Sequence, residues 1–230
     1  MIAEMFNRIA PTYDLLNRLL SGRQDVKWRH HAVKQIPQNK FVRVLDIAVG
    51  TGDLSIAMLK SCRNISEIVG VDVAENMLDI ARQKMAKDIE SGRVKLQIGD
   101  ACILPFENEK FDIVTISFGI RNVADPLLAL SEIYRVLKSE GRVIILEFST
   151  PDKWLKPFYY LYFRHLLPFI GGLISGDREA YRYLNRSAEA FASGEKFLSW
   201  MKRAGFSSVR AKPLSFGIAS IYVGDKGESA

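Results

Sequence analysis

The chain has 230 residues, 48% of them hydrophobic and 25% charged, which is enough apolar material for a sizeable core. This composition excludes a disordered or fibrous chain and predicts one globular domain over residues 1–230. Cys62 and Cys102 lie far apart and form no C-x-x-C pair, so we expect reduced thiols in a cytosolic protein. Neither the cysteines nor the three histidines are spaced as metal ligands, and we expect no metal site.

The formal net charge of +6 is distributed unevenly along the chain. Residues 1–43 hold eight Lys/Arg and three Asp/Glu, residues 44–150 hold twelve and sixteen, and residues 151–230 hold twelve and seven. The acidic middle section suits a cationic ligand. The basic flanking sections would suit nucleic acid, an anionic membrane surface or an anionic substrate.

No segment of the sequence is typical of a signal peptide or of a membrane-spanning helix. The N-terminus has no basic region followed by an apolar run. The most apolar window, Pro157 to Ile174, is interrupted by Arg164, His165 and Pro168. We therefore expect a cytoplasmic protein, which the basic flanks would allow to bind the inner face of the membrane.

Residues 1–41 are predicted to form a helical cover that precedes the sheet. Apolar residues at helical spacing predict a first helix that ends at Pro11, a second that begins at Thr12, and a third over Val26 to Ile36. Because these helices come before the sheet, they can lie over the carboxyl ends of its strands.

A glycine turn between a buried strand and a helix is the feature around which the sequence is organised. Gly50 and Gly52 follow an apolar, β-branched run, and they allow a tight turn that a ligand can approach closely. The next predicted strand ends in Asp72, where a carboxylate can accept hydrogen bonds from two ribose hydroxyls. These features predict a nucleotide-type cofactor site at the carboxyl edge of a parallel sheet.

The glycine turn favours S-adenosylmethionine (SAM) over a dinucleotide. A dinucleotide fingerprint would need a third glycine, where this chain has Ser55. Asp46 at the strand end would be an unsuitable neighbour for a pyrophosphate, but a carboxylate suits the ammonium and sulfonium groups of SAM. The glycines alone would also fit an ordinary tight turn without a ligand, and the position of Asp72 favours the SAM site.

Strands and helices alternate from residue 42 onwards, which predicts an α/β protein whose parallel sheet has helices on both faces. The predicted strands are 42–47, 67–72, 93–98, 111–117, 142–148, 207–213 and 217–223, and the predicted helices among them are 53–62, 75–90, 126–137 and 194–204. The last two strands have a short connection and are predicted to pair as an antiparallel hairpin. A parallel sheet that ends in such a hairpin is the Rossmann-like, seven-stranded arrangement of class I SAM-dependent methyltransferases.

Residues 151–190 interrupt this alternation and are rich in aromatic side chains. They predict a helical lid inserted into the fold. Buried packing would account for most of these rings, and their number also suits an apolar substrate.

Four blocks of the sequence resemble the ubiquinone/menaquinone biosynthesis C-methyltransferase family. They are Y-D…N…S…W at 13–28, D-I-A-V-G-T-G-D at 46–53, S-F-G-I-R-N-V at 117–123, and R-V-L-K…G-R…E-F-S at 135–149. Tyr181-Arg182-Tyr183-Leu184 extends the resemblance into the lid. The chain departs from the family pattern at Leu16 (usually methionine), Asp25 (usually histidine) and Ser139-Glu140 (usually Pro-Gly). Asp25 leaves the exact substrate preference open.

The resemblance implies that SAM is the cofactor, bound at the carboxyl ends of the first four strands. Asp72 would bind the ribose, Asp100 and the backbone N–H of Ala101 the adenine, and Ser117 would lie beside the sulfonium. With the residues of the glycine turn, the expected cofactor site is Asp46, Gly50, Thr51, Gly52, Asp72, Asp100, Ala101 and Ser117.

The reaction that the resemblance implies is methylation of a ring carbon in a reduced polyprenyl quinone, such as demethylmenaquinol or a ubiquinol precursor. The polar candidates for catalysis are Tyr13, Asp14, Arg121 and Asn122. Arginine stays protonated, so Arg121 would stabilise a phenolate or orient a water rather than act as the base. A structural ion pair with a carboxylate is the alternative role for Arg121.

Three other functions fit parts of the sequence. A small-molecule O- or N-methyltransferase would share the cofactor site and differ in substrate. A nucleic-acid methyltransferase would use the basic flanks, but the chain has no N-P-P-Y motif and its lid is too apolar for a phosphate-binding surface, so we expect no nucleic-acid partner. A non-catalytic SAM- or quinone-binding subunit would not need the full cofactor set. The sequence does not determine the oligomeric state.

Overall fold

The computed structural model describes residues 2–161, Gly171 and residues 173–228. Its strands are β1 (Val42–Ile47), β2 (Ile65–Asp72), β3 (Val94–Ile98), β4 (Phe111–Ser117), β5 (Leu137–Phe148), β6 (Ser207–Leu214) and β7 (Ala219–Asp225). They form one seven-stranded sheet in the order β3-β2-β1-β4-β5-β7-β6. The first five strands pair in parallel, and β7 runs antiparallel to both β5 and β6. The predicted fold class and the C-terminal hairpin are confirmed.

Helices cover both faces of the sheet. They are α1 (Ile2–Leu20), α2 (Gln24–Val33), α3 (Asp53–Ser61), α4 (Glu75–Lys84), α5 (Ala86–Glu90), α6 (Pro126–Val136), α7 (Lys156–Leu161), α8 (Arg178–Ala190) and α9 (Glu195–Arg203), with a 3-10 turn at Ile120–Asn122. Side chains of β1 pack alternately on the two faces: Val42 and Val44 belong to one core cluster, Leu45 and Ile47 to the other. This burial on both faces is why the central parallel strands are continuous apolar runs.

The predicted break at Pro11 is wrong, because α1 continues through it to Leu20. Proline has no N–H, so the carbonyl of Asn7, one helical turn earlier, lacks its usual partner. The side chain of Asn76 on α4 donates to that carbonyl at 3.1 Å, and the Asn7 side chain accepts from the Asn76 N–H at 2.9 Å. A long-range contact therefore satisfies the acceptor that a proline in a helix leaves free.

Two other elements differ from their predicted ranges by more than a shift of a few residues at the ends. The predicted helix over 75–90 is divided into α4 and α5 at Met85, whose φ and ψ of −112° and 22° are not helical. Strand β5 begins at Leu137 rather than at residue 142, because Ser139-Glu140 form an irregularity within the strand where the register against β4 shifts.

The predicted lid over 151–190 contains α7 and α8. Its centre, residues 162–170 with Arg164, His165 and Pro168, lies outside the described residues. On α8, Ala180 and Tyr181 are buried against side chains of α1, so this helix packs on the N-terminal cover. Across residues 2–161 and 173–228, no helix combines the length and the apolar content needed to cross a bilayer.

Candidate active site

A cavity lies at the carboxyl ends of the central strands, at the position where β1 and β4 are neighbours and the connections that follow them diverge. Ligands bind at this point in open α/β sheets. Its wall is made by strand-end residues and by α1, and we call it the strand-end cavity; it includes Ile2, Phe6, Tyr13, Ala48, Gly50, Asp72, Gly99, Asp100, Ala101, Ser117, Phe118, Gly119 and Asn122. The predicted helical cover thus supplies one wall of the site.

The backbone of the strand-end cavity adopts left-handed conformations at two adjacent strand ends. Ala48, Gly50 and Phe118 have φ values of 50°, 55° and 55°. A side chain at Gly119 would place its Cβ 2.5 Å from the Cβ of Ala48. Non-glycine residues adopt this conformation at a cost of about 1–3 kcal/mol, and such strain is concentrated at functional sites. The loops after β1 and β4 are therefore shaped closely around the cavity.

Carboxylates supply the charge in the strand-end cavity. Asp72 accepts from the N–H groups of Gly50 and Ala74 at 2.8 and 2.9 Å, and Asp100 accepts from the N–H of Cys102 at 2.8 Å. Burial raises the pKa of Asp72, and its backbone hydrogen bonds act against that shift. No lysine or arginine is among the described residues that line this cavity. An acidic cavity without basic residues suits a cationic ligand.

Asp46 was predicted to contact the cofactor, but the structure places it beneath the cavity. Its side chain is buried, with 1% of the residue exposed, and its two oxygens accept from the hydroxyls of Ser55 and Thr115 at 2.6 and 2.7 Å. Burial raises the pKa of Asp46 to about 6, against the effect of these two hydrogen bonds. Asp46 therefore connects the glycine turn to α3 and β4 instead of facing a ligand.

Gly52 is also outside the cavity lining, at the start of α3. Its φ is 84°, and an added Cβ would lie 2.6 Å from the Cε atom of Met85. The glycine is needed for the turn and for close packing of α3 against the end of α4.

Thr51 and Asp14, which were predicted for the cofactor and for catalysis, bind each other outside both cavities. The Thr51 hydroxyl donates to Asp14 at 2.6 Å, and Lys84 donates to Asp14 and Asp53 at 2.8 and 2.7 Å. Arg18 donates to Asp53 at 2.7 Å. This set of five residues, which we call the clasp, attaches α1 to the glycine turn, to α3 and to α4.

A second cavity adjoins the first and shares Tyr13 and Phe118 with it. We call it the aromatic cavity; its wall includes Tyr13, Asn17, Leu20, Ser21, Asp25, Trp28, Arg29, Phe118, Arg121, Phe148, Tyr159, Tyr181, Leu184, Ser215 and Ile218. The rings of Phe118 and Phe148 lie 4.8 Å apart, and Trp28 lies 6.1 and 6.2 Å from them. Such a wall suits a flat, apolar ligand.

Arg121 lies in the aromatic cavity as one member of a buried ion pair. Its Nη1 donates to Glu147 at 2.6 Å and to the Phe118 carbonyl at 2.7 Å, and its guanidinium lies 5.1 Å from the centre of the Phe148 ring. The side chains of Arg121 and Glu147 are 3% and 0% exposed. Burial raises the pKa of Glu147, and the Arg121 charge acts against that shift. Arg121 therefore both forms a structural ion pair with Glu147 and lines a cavity.

The other two predicted catalytic residues, Tyr13 and Asn122, line the strand-end cavity, and Tyr13 lines the aromatic cavity as well. Burial raises the pKa of the Tyr13 phenol, against the lowering effects of the Arg121 charge and of a hydrogen bond with Asn17. Tyr13 therefore stays neutral near pH 7 and keeps a proton to donate. Asn122 lines the strand-end cavity, and its Oδ1 is buried without a hydrogen-bond partner among the described residues.

Two charged residues that the sequence did not predict are Arg29, which lines the aromatic cavity, and Glu147, the buried partner of Arg121. Arg29 donates to Asp25 at 2.6 Å, and Glu147 binds Arg121 across 26 positions of sequence. The Asp25–Arg29 pair has the i,i+4 spacing of a helical ion pair, a signal that the sequence contains. No local pattern marks Glu147 as the partner of Arg121, because the two meet only when the loop after β4 packs against the end of β5.

The fold and the strand-end cavity define a class I SAM-dependent methyltransferase. A solved SAM-dependent methyltransferase from Thermotoga maritima matches 98% of this chain and 100% of its own, with a TM-score of 0.69 and 25% identity. One from Aquifex aeolicus, with a TM-score of 0.62 over 86% of this chain and 88% of its own, is 17% identical and supports the fold alone.

The chain belongs to the ubiE/COQ5 methyltransferase family, whose sequence model matches residues 1–226. A relative from Thermus thermophilus, named demethylmenaquinone methyltransferase, is 50% identical over 96% of this chain and 100% of its own. A Geobacter sulfurreducens relative, named ubiquinone/menaquinone biosynthesis C-methyltransferase UbiE, is 46% identical over 98% of this chain and 88% of its own. The predicted family, enzyme class and cofactor, SAM, are confirmed.

Proposed function

We propose that this enzyme methylates a ring carbon of a reduced, prenylated quinone precursor of the demethylmenaquinol type, with a ubiquinol precursor as a second substrate. The observation that carries the proposal is the junction of two different cavities. One is acidic and contains no basic residue in its described lining, and the other is aromatic and contains a buried guanidinium. Tyr13 and Phe118 belong to both, so a ring in the aromatic cavity would adjoin a cofactor in the strand-end cavity.

The strand-end cavity has the groups that SAM requires. Asp72 would accept from the ribose hydroxyls, Asp100 from the adenine amino group, and the Ala101 N–H would donate to the adenine. Ser117 lines the cavity at the end of β4, on the side that adjoins the aromatic cavity through Phe118. When bound, SAM supplies its methyl group and leaves as S-adenosylhomocysteine, while the ring carbon gains the methyl and loses a proton.

Arg121 would stabilise the negative charge that develops on the ring oxygen next to the methylated carbon. Glu147 and the Phe118 carbonyl hold its Nη1, while its Nε is buried without a hydrogen-bond partner among the described residues. We assign this unsatisfied N–H to a ring oxygen of the quinol. Because arginine does not release a proton near pH 7, the phenolic proton would go to water that the guanidinium and the neutral Tyr13 phenol orient.

The mouth of the aromatic cavity would face a membrane at the inner, cytoplasmic side. Trp154 and Phe216 are more than half exposed and pack edge to face at 5.4 Å. Phe216 follows Ser215, which lines the aromatic cavity and accepts from the Trp28 indole N–H at 2.8 Å. An exposed aromatic pair beside the entrance to an apolar cavity is a surface that a bilayer would cover, and through which a prenyl chain would leave.

The methyl-transfer experiment uses chemically reduced demethylmenaquinone and a ubiquinol precursor, incubated without oxygen with methyl-labelled SAM. Mass spectrometry of the product is expected to show the label on the ring carbon next to the prenyl-bearing carbon. Label on an oxygen, or on an unrelated small molecule with no label on any quinol, would contradict the proposal.

The membrane experiment measures sedimentation of the protein with anionic vesicles. Trp154→Ser is expected to reduce the bound fraction several-fold. Phe41→Ser is the matched control, because Phe41 is similarly exposed but precedes β1 and thus lies at the amino edge of the sheet. Equal losses in the two variants, or none in either, would contradict the assignment of this surface.

A further inference from the structure

We propose that Arg29 binds the second ring oxygen, so that two guanidinium groups make the aromatic cavity selective for rings with two para hydroxyls. The proposal rests on the proposed function, in which the ring of a prenylated quinol occupies this cavity. It assigns a specificity role to a residue of the N-terminal helical cover, outside the strand ends where the reaction takes place.

The contacts of Arg29 anchor one side of its guanidinium and leave another side without an acceptor. Its side chain is 8% exposed, Nη1 donates to Asp25 at 2.6 Å, and Nη2 lies 3.7 Å from Asp53. Its Nε is buried without a hydrogen-bond partner among the described residues, and the residue lines the aromatic cavity. Buried donors rarely lack acceptors, so this N–H indicates the position of a ligand oxygen.

Arg121 repeats this arrangement in the same cavity. Each arginine is anchored to a buried carboxylate through Nη1 and has a buried Nε without an acceptor. Each also lies over an aromatic ring: Arg29 is 5.7 Å from the centre of Phe118, and Arg121 is 5.1 Å from that of Phe148. The two rings pack on each other at 4.8 Å. Two guanidinium groups therefore lie beside one aromatic pair in the wall of the same cavity.

The chemistry of methyl transfer gives these two donors different roles. The hydroxyl next to the methylated carbon directs charge onto that carbon, so its partner, Arg121, affects the rate. The para hydroxyl contributes little to the nucleophilicity of that carbon, so its partner, Arg29, affects binding and the orientation of the ring. The enzyme would therefore bind a ring without this hydroxyl more weakly, because the Arg29 donor would then lack an acceptor.

Asp25 is the positioning residue for Arg29. It accepts from Arg29, from the Ser21 hydroxyl at 2.8 Å and from Arg18. Burial alone would raise the pKa of Asp25, but these donors together lower it, so the carboxylate is charged near pH 7. The aspartate at this position thus holds the Arg29 guanidinium with a full negative charge.

The experiment compares three prenylated ring compounds by their dissociation constants, measured from quenching of tryptophan fluorescence without oxygen. They are the naphthalene-1,4-diol, the naphthol that keeps only the hydroxyl next to the methylated carbon, and the naphthol that keeps only the other hydroxyl. We expect the wild-type protein to bind the diol about 10- to 100-fold more tightly than the first naphthol, the range for one hydrogen bond to a charged group. In Arg29→Lys, which keeps a cation for Asp25 and Asp53, this preference is expected to disappear.

Three comparisons decide the result. Arg29→Lys is expected to retain the preference for the diol over the second naphthol. The hydroxyl that the second naphthol lacks is the one next to the methylated carbon, and Arg121 binds it. Asp25→Asn is expected to reduce the preference for the diol over the first naphthol only partly. Arg18→Lys is the matched control. Arg18 binds the same two carboxylates as Arg29, those of Asp25 and Asp53, but does not line the aromatic cavity. Its lysine variant is therefore expected to leave all preferences among the three compounds unchanged.

An Arg29→Lys protein that retains the full preference for the diol over the first naphthol would overturn the proposal, as would a wild-type protein without that preference. Because binding is measured, the test stays separate from the proposed function. Selective binding of the diol without methyl transfer would contradict the proposed reaction and support the role of Arg29.

Discussion

The strand-end cavity and the aromatic cavity are built in different ways. The first is formed mainly by backbone turns at the ends of β1 to β4, with α1 as a cover, and its charged groups are carboxylates. The second takes its lining from α1, α2, the loop after β4, the end of β5, α7, α8 and the β6–β7 connection. Its charged groups are buried arginine–carboxylate pairs. The proposed cofactor site is thus a local feature of the sheet, while the proposed substrate site depends on packing between distant segments.

This difference predicts a division of function. The strand-end groups are held by short backbone hydrogen bonds and would contact the cofactor equally before and during the reaction. Interactions of this kind set affinity but not rate. Arg121 would act on the phenolate charge that forms only after the quinol has bound and lost its proton, so it would set the rate. Variants of the two cavities should therefore change different kinetic constants.

The largest effect is expected for Arg121→Ala. It should lower kcat by about 10²–10³-fold, the range for loss of one preorganised electrostatic donor, and leave SAM affinity almost unchanged. The melting temperature should also fall, because Glu147 would remain buried without its cation. Single-turnover rates should therefore be measured well below the melting temperature of the variant.

Arg121→Lys separates the two roles of this residue. Lysine keeps a cation for Glu147, so most of the thermal stability should return, but a point charge lacks the planar fork and should restore only part of the rate. A lysine variant with the wild-type rate would contradict the role of the guanidinium. An alanine variant whose rate loss equals its unfolded fraction would reduce Arg121 to a structural residue.

Asp72→Ala is expected to weaken SAM binding by about 10- to 100-fold, since two ribose hydroxyls lose a charged acceptor worth roughly 1.5–3 kcal/mol. Calorimetric titration measures this change. Asp79→Ala is the matched control, because it removes the same charge from the exposed face of α4. Unchanged SAM affinity in Asp72→Ala would remove Asp72 from the cofactor site.

Asp46→Asn should change how stability depends on pH. The pKa of Asp46 is about 6 in the folded protein and close to 3.8 when unfolded, so between pH 4 and 6 the folded state binds the extra proton. The wild-type free energy of unfolding therefore falls across this window as pH rises, and the asparagine variant lacks this fall. Relative to wild type, the variant should gain roughly 1–3 kcal/mol from pH 4 to 7 in urea unfolding. Parallel curves would contradict the raised pKa.

The smallest effect is expected for the clasp. Asp14→Asn removes the charge that Lys84 binds at a half-exposed position, so SAM affinity should fall only about two- to fivefold through looser attachment of α1. The wild-type affinity should weaken with added salt more than that of the variant. Lys95→Met, which breaks an exposed pair with Glu67 far from α1, is the control. If the SAM affinities of the wild type, Asp14→Asn and Lys95→Met all depended on salt in the same way, the clasp would have no role in cofactor binding.

The sequence predicts the local parts of this protein well and the long-range parts poorly. The turn at Gly50 and the strand end at Asp72 are set by residues next to each other, and both line the predicted cavity. Asp14 and Thr51 were assigned to different roles, because their hydrogen bond joins residues 37 positions apart. Pro11 lies inside α1, and Asn76 on another helix binds the carbonyl that the proline leaves free.

The most direct test of the division between the two cavities is the rate of the first turnover, measured by rapid quench, for Asp72→Ala and Arg121→Ala at increasing SAM concentrations, with a reduced prenylated quinol in excess. Asp72→Ala should reach the wild-type rate once SAM saturates the weakened site. Arg121→Ala should stay about 10²–10³-fold slower at every SAM concentration. The account would be contradicted if added SAM restored the rate of Arg121→Ala to that of the wild type. It would also be contradicted if Asp72→Ala stayed slow at saturating SAM.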